Sequence, residues 1–571
     1  MVEVAGSVGV RASSEIEVRL FRLILFLPFA IEPGDPEKLW TGAELVEAAA
    51  RQLDRSASWQ TRQPLDHLDG RRPPGRPVGV KAYEEFVYFQ PSVQRFLYGP
   101  PTGEPDGSGS TPPISLFART DIEALDVEVW NGLRNRVTRL RLAVDRLNLY
   151  LFDTGNALLT VELFFDPKRT PELAGRDGFA DYTLEPRLDD VLAVAHHLRR
   201  VFPPFFQSNR ERNAFTNPAM PQQLVWLKDW LAKASPEGSA AVDATPFLLT
   251  VGAARCSPLH DAWQKVVEPL RLEGYGRRRD VQLSLCGDDR APLMLLLGVD
   301  DPDAISRSDW VRIAMADRPG PPGQYPEVET TLDGFEAAHC CDRYWQRGNP
   351  WTQTRQLNSG FCHAMVGRCH PIEGSKEHDP AKHWRNDFAD LLQHHFRRQY
   401  FQLGLISHFH KVALGTLSER LAREVDRQDA RHNGRFQKAV AALQREALRF
   451  THRYWFVEVS PQPQATQLFE LWRRHLGTER LYDQLTRELE ASNAFLDREE
   501  QRRLATSAER LTKVGLPGIG LAVLTGFFGM NFFEPDDLAP WRIFVVLLAL
   551  GSGGLILALL YAALIRDRRD R

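Results

Sequence analysis

The chain has 571 residues, of which 43% are hydrophobic and 25% charged, and its formal net charge is −3. That length holds two or three domains, or one large domain with an appendage. The near-balanced charge excludes a global field that would draw nucleic acid or an anionic membrane surface. Six cysteines, Cys256, Cys286, Cys340, Cys341, Cys362 and Cys369, form no C-x-x-C pair. A chain of this size needs no disulfide to hold a core, so reduced thiols in a cytosolic body are expected.

The first apolar run, residues 23–31, follows Glu15 and Glu17, contains Pro28 and leads into Glu32-Pro33. A signal peptide wants a positive leader and an unbroken core, so residues 19–31 read as a buried strand. Residues 69–77 and 99–113 are rich in Pro and Gly and read as loops or disorder. Strands at 139–152 and 158–165 flank Asp153-Thr154-Gly155-Asn156, a hairpin turn by composition. A helix is expected at 187–202, and further strands at 247–251, 282–286 and 293–299. Helical spacing returns at 383–426 and 434–457, and Ser460-Pro461-Gln462-Pro463 breaks it. Beyond the break, residues 464–530 read as one helix on the order of 100 Å long, or as two if Gly477 interrupts it.

The last tenth of the chain differs from the rest. Residues 543–565 carry no charge and as a helix would cover about 34 Å, slightly more than a bilayer core. Trp541 and Tyr561 stand near its ends, where interfacial aromatics belong. Residues 514–530 form a shorter, Gly-rich apolar run, and glycines let helices approach closely. Arg502, Arg503, Arg510 and Lys513 precede this pair of runs, and Arg566, Arg568, Arg569 and Arg571 follow it. The segment between has no Lys or Arg up to Pro540 but carries Glu534, Asp536 and Asp537. The positive-inside rule then puts both flanks in the cytoplasm and the acidic loop outside. The expected organisation is a cytoplasmic α/β domain (1–380), long cytoplasmic helices (381–460), a stalk helix (461–513), a transmembrane helix (514–530), an extracytoplasmic loop (531–540), a second transmembrane helix (541–565) and a basic tail (566–571).

The first of these apolar runs ends in Phe527-Phe528-Gly529-Met530-Asn531-Phe532. A Gly-Met-Asn tripeptide between two C-terminal apolar runs resembles the CorA-type family of divalent-cation channels. The likeness covers residues 461 to the C-terminus and fades upstream. Two positions depart from the family pattern: Phe528 stands where Tyr is common, and Phe533-Glu534-Pro535-Asp536-Asp537 replaces a Met-Pro-Glu loop. Both departures bear on ion selectivity. The resemblance implies a CorA-like funnel, a homopentamer, and Mg²⁺ as the transported ion and as a regulatory ion between cytoplasmic domains. No other cofactor and no enzymatic activity is expected.

The chemistry suits such an ion. Mg²⁺ keeps its waters, and a ring of Asn531 side chains, one per subunit, would offer neutral carbonyls to the hydrated ion. Gly529 lets backbone approach an axis, and Glu534, Asp536 and Asp537 would concentrate cations at the mouth. Heptad-like spacing puts Leu504, Ala508, Leu511, Gly515, Ile519 and Ala522 on one helix face. Leu504 and Leu511 are the expected apolar constrictions of a pore lined by that face. Packing against a neighbour is the competing role for the same stripe.

The expected function is Mg²⁺ influx driven by the membrane potential, at the bacterial inner membrane with both termini cytoplasmic. A Zn²⁺, Ni²⁺ or Co²⁺ transporter on the same fold is the nearest alternative. A membrane-tethered cytoplasmic enzyme or sensor is the third, although no nucleotide-binding or triad signature stands out. His339-Cys340-Cys341, Cys362-His363 and Cys369-His370 are soft-metal ligand types whose spacing matches no closed zinc pattern. Ordinary loop positions are the plainer reading of them.

Overall fold

The computed structural model describes residues 11–35, 39–68, 77–99, 112–202, 223–233, 245–254, 258–273, 280–287, 290–324, 329–349, 353–369, 392–427, 433–529, 541, 544, 548 and 551–555. The chain divides into two compact units, Met1–Thr486 and Arg487–Arg571.

The first unit is built on one twelve-stranded sheet. Its strands are β1 (Val18–Pro33), β2 (Trp59–Arg62), β3 (Ile114–Arg119), β4 (Ala124–Asn131), β5 (Arg136–Phe152), β6 (Asn156–Phe164), β7 (Gln223–Leu227), β8 (Val281–Leu285), β9 (Leu293–Val299), β10 (Cys340–Cys341), β11 (Thr354–Asn358) and β12 (Cys362–Arg368). The main path runs β10-β11-β12-β9-β1-β6-β5-β3-β2, with β8 on β1, β4 on β5 and β7 on β4. Two long strands organise it. Along one edge β1 pairs β9 with its first half and β8 with its second, while β6 covers the other edge. Likewise β5 pairs β4, then β3, along one edge and β6 along the other. Only β9 and β12 run parallel among these pairs.

The helices are α1 (Gly42–Asp54), α2 (Val80–Tyr88), α3 (Pro91–Tyr98), α4 (Leu188–Leu198), α5 (Thr245–Ala254), α6 (Asp261–Val267), α7 (Arg307–Met315), α8 (Glu329–His339), α9 (Gln393–His395), α10 (Phe401–Asp426), α11 (Asn433–Arg453), α12 (Pro463–Leu476) and α13 (Thr478–Gly529). Successive side chains of a strand point to opposite faces, and here the two faces differ in chemistry. Leu23, Leu25, Leu27, Phe29 and Ile31 of β1 join Val161 and Leu163 of β6 and the buried sides of α1, α4, α6 and α7 in one apolar core. The other face carries Arg22, Phe26, Arg146, Asn148, Tyr150 and Glu162, all buried. It is covered by α10, with α2, α3, α11 and α12 around it. Residues 401–410 of α10 are buried on every side, as a helix must be when sheet and helices enclose it. Gly404 marks the closest crossing: a Cβ there would come within 3.2 Å of Met294 Sδ and 3.4 Å of Trp472.

Local chemistry sets the helix ends. Thr41 and Glu44 form a capping box at α1. Pro463 opens α12, and Gly477 closes it in the left-handed region with φ +65°. The helix expected at 464–530 is therefore two, parted at Gly477. The strand expected at 247–251 is helix α5 instead. The short apolar run Phe247-Leu248-Leu249-Thr250-Val251 suits either state, and a proline at position 246 next to the N-terminus suits the helix.

A larger correction concerns the C-terminal region. The sequence leads one to expect two C-terminal transmembrane helices and a CorA-like funnel. Among the described residues no helix is long and apolar enough to cross a membrane. Most of α13 is polar, and its apolar part, residues 514–529, rises only about 24 Å against roughly 30 Å of hydrocarbon. Gly515, Pro517, Gly518, Gly520 and Gly526 dilute that part further. Of residues 541–565, the described ones are 541, 544, 548 and 551–555. The α/β body and the long helices stand; the spans and the funnel built on them do not.

One turn ties the sheet to the outer helices. Asp153, at the β5–β6 hairpin, is 4% exposed and accepts a 2.6 Å hydrogen bond from the Tyr454 hydroxyl. Burial pushes its carboxyl up to about 6, against the opposing pull of Tyr454 and Arg449. A folded-state pKa above the unfolded value near 3.8 means that the fold binds this proton more tightly. The stability it contributes is full below the unfolded value and is lost as pH rises through about 6, a cost on the order of 3 kcal/mol by neutrality. Denaturant unfolding between pH 4.5 and 7.5 should show this decline, and Asp153→Asn should flatten it and raise stability at pH 7.5. An unchanged slope in the variant would refute the assignment.

Candidate functional site

Four places among the described residues bear on function. The first is a charge cluster buried between the sheet and the start of α10. A bulge in β5 between Val144 and Arg146 breaks its register with β6, and bulges re-aim side chains. Here Asp145 and Arg146 both reach the cluster. Glu162, 1% exposed, accepts hydrogen bonds from Arg22 Nη1 (2.6 Å), from Arg397 Nε (2.6 Å) and from Arg146 Nε. Asp145 takes further bonds from Arg22 (2.5 Å) and Arg397 (2.7 Å). Burial alone would raise the Glu162 carboxyl; Arg146, Arg397 and Arg22 hold it far below the usual range.

Arg397 and Arg398 lie in a π-helical turn, Phe396–Tyr400, that leads into α10. Single π-turns often mark functional positions, and this one adjoins a buried His–carboxylate pair. His67 Nε2 lies 3.0 Å from Glu85 Oε2, and Arg146 Nη1 lies 2.6 Å from His67 Nδ1. A guanidinium only donates, so Nδ1 accepts and the ring proton sits on Nε2, donated to Glu85. Tyr98 (2.8 Å), Gln402 (2.9 Å) and Arg398 (3.2 Å) complete the carboxylate's partners. Burial lowers the His67 pKa, in keeping with the neutral ring that the Arg146 contact requires. In a catalytic dyad the nitrogen away from the carboxylate faces a nucleophile or substrate. Here it faces Arg146, and the pair is a closed structural unit.

The second place is the Cys/His group. Cys341 lies on β10 and Cys362-His363 on β12, with β11 between them. Two strand spacings, roughly 10 Å, part them. Burial pushes the Cys340, Cys362 and Cys369 thiols up to about 12, away from the thiolate that binds metal. The Cys369 sulfur lies against Gly298, where any side chain would overlap it. His339 stacks on His475 with centroids 4.2 Å apart, and donates from Nδ1 to the Phe335 carbonyl. Among the described residues no group of three or more His, Cys, Asp or Glu could hold a metal ion. Cys256, His370, His378 and His383 lie outside the described residues.

The third place is α13. Leu504, Ala508, Leu511, Gly515, Ile519 and Ala522 fall within an arc of about 80°. All six are exposed, Leu504 at 63%, Leu511 at 73% and Ile519 at 67%. The helix continues through Pro517 and is described as far as Gly529. Met530, Asn531, Glu534, Asp536 and Asp537 lie outside the described residues.

The fourth place was not anticipated from the sequence. A cleft of about 400 Å³ opens where the end of β1, β8, the start of α1, the last turns of α10 and the middle of α11 meet. Two glycines allow the close packing of neighbouring backbone. A Cβ on Gly42 would lie 2.5 Å from the Asp153 carbonyl oxygen, and Gly155 takes φ +80° beside Arg420. Glutamates 32, 273, 419, 424 and 446 and arginines 420, 423 and 427 line the cleft. Their sequence separation, from 32 to 446, hides them from any motif search.

No protein-family model matches the chain, and no curated protein matches it.

Replacing Glu162 by Gln leaves three guanidiniums converging on a neutral amide. Unpairing buried charge of this kind costs about 3–5 kcal/mol, so Glu162→Gln should unfold at clearly lower denaturant than the wild type. A midpoint within error of the wild type would mean that Asp145 and solvent, not Glu162, satisfy the arginines.

Proposed function

We propose that the chain transports divalent metal cations as an assembly of several copies, with Mg²⁺ the first candidate. The observation that carries this is the exposed stripe of α13, six small or apolar residues at heptad spacing on one helix that is unbroken over its described residues to Gly529, after which Met530-Asn531 follow in sequence. A single copy has no use for an apolar stripe in water, whereas copies arranged about an axis would bury it or turn it toward a shared pore. Asn531 supplies a neutral oxygen suited to a hydrated ion, and Glu534, Asp536 and Asp537 follow within six residues. Transport of this kind requires a membrane as the place of action. Entry of a divalent ion down the membrane potential releases about 4.6 kcal/mol per 100 mV and needs no nucleotide.

The test is Mg²⁺ uptake into proteoliposomes under an imposed potential, with Zn²⁺, Ni²⁺ and Co²⁺ as competitors. Saturable uptake by the wild type, lost in Asn531→Ala, is the expected result. Leu511→Cys should carry flux that thiol reagents block. Background flux in wild type and Asn531→Ala alike, with both folded and oligomeric, would overturn the reading. Competition won by Zn²⁺, Ni²⁺ or Co²⁺ would overturn Mg²⁺ as the ion.

A further inference from the structure

Helix α12 is the last segment before α13, and two buried histidines seat it. Its inner side presents Leu468, Phe469, Leu471 and Trp472. Trp472 lies against His363 of β12 with ring centroids 4.5 Å apart, and Phe469 meets His410 of α10 edge-on at 6.1 Å. Both imidazoles are 0% exposed. His410 donates from Nε2 to the Tyr454 carbonyl at 2.6 Å, which leaves Nδ1 as its acceptor nitrogen. Among the described residues that Nδ1 has no hydrogen-bond partner, and neither nitrogen of His363 has one.

Nothing around either ring favours a second proton. His363 faces Tyr400 of the π-helical turn and Trp472, with Asn358 opposite it on β11. His410 faces Phe450 of α11, then Trp455 and Phe456, and Phe469 and Arg473 of α12. Burial raises the Tyr400 and Tyr454 phenols, so both stay neutral, and Asp153 is engaged by the Tyr454 hydroxyl. Among the described residues no carboxylate acts on either imidazole. Burial takes both rings down to about 3, and Arg473 adds to it at His410 against the pull of the Tyr454 carbonyl. A folded value below the ordinary 6.5 means that the seat is fully stable above pH 6.5 and loses stability as pH falls toward 3.

We propose that α12 is an acid-sensitive latch: when the helix lifts, water and protons reach His363 and His410, and the charged rings hold it off until neutral pH reseats it. For each imidazole that regains its ordinary value on release, the lifted form gains roughly thirtyfold between pH 7.5 and pH 5.0. The latch lies within the first unit and stands whether or not the transport reading does.

Hydrogen exchange of the full-length protein at pH 7.5 and 5.0, corrected for the intrinsic rate at each pH, decides it. Protection of α12 should fall by roughly several hundredfold on acidification. At pH 5.0 it should also lie below that of β1, because α12 lifts by itself rather than with the whole unit. His363→Phe and His410→Gln should each remove about thirtyfold of the fall. Protection of α12 that does not change with pH overturns the proposal, as does protection equal to that of β1 at pH 5.0. Both of those results come from the wild type and are decisive without either variant. A fall in either folded variant as large as in the wild type overturns that histidine's part in the latch, and with it the proposal.

Discussion

Glu162 is a carboxylate on the central strand pair of a wide sheet, sealed from water, and much of the first unit follows from having to neutralise it. A lone ionised carboxylate in such a place is prohibitively costly. Three arginines meet it from three segments: Arg22 from β1, Arg146 from the bulge of β5, and Arg397 from the turn before α10. Because one of the three lies on the helical layer, the charge cluster fixes where α10 starts on the sheet. From there Arg398 and Gln402 reach Glu85, which draws in α2 and, through Tyr98, α3. Ion pairs this deep add little net stability over an apolar core. What they supply is a single permitted register for helices on a sheet face.

The same helix then carries the arrangement outward. Ten residues of α10 are enclosed, Gly404 lets it sit close to Met294 and Phe26, and Asn156 on β6 donates to Thr416 further along. Its final turns emerge as the charged wall of the cleft. A rigid anchor at one end and a lined cavity at the other belong to one helix of 26 residues. That is how a scaffold positions a site without placing it on a mobile loop.

Legibility followed hydrophobic pattern. The strands at 19–31, 139–152, 158–165, 282–286 and 293–299 announced themselves by long apolar or alternating runs, and correspond to β1, β5, β6, β8 and β9. Strands β4 and β11 did not, since Asp126, Glu128, Arg355 and Gln356 break the apolar pattern. They are buried or half-buried because partners on other strands and helices satisfy them, and partners distant in sequence leave no local trace. The cleft was illegible for the same reason. Residues 247–251 were misread because a short apolar run does not distinguish strand from helix. The C-terminal spans were inferred from uncharged apolar runs, their charged flanks and interfacial aromatics, and among the described residues no helix is long and apolar enough to match them.

The position of β1 at the sheet's centre has a consequence for biosynthesis. It leaves the ribosome before every strand it pairs with and acquires β6 on one edge after some 130 residues. Its other edge waits for β8 and β9, which begin 248 residues or more beyond its last residue. At about 5–20 residues per second, that edge stays open for tens of seconds. A nascent chain of this design presents a long, apolar, half-paired ribbon to the cell throughout that time, and its yield will depend on what shields it.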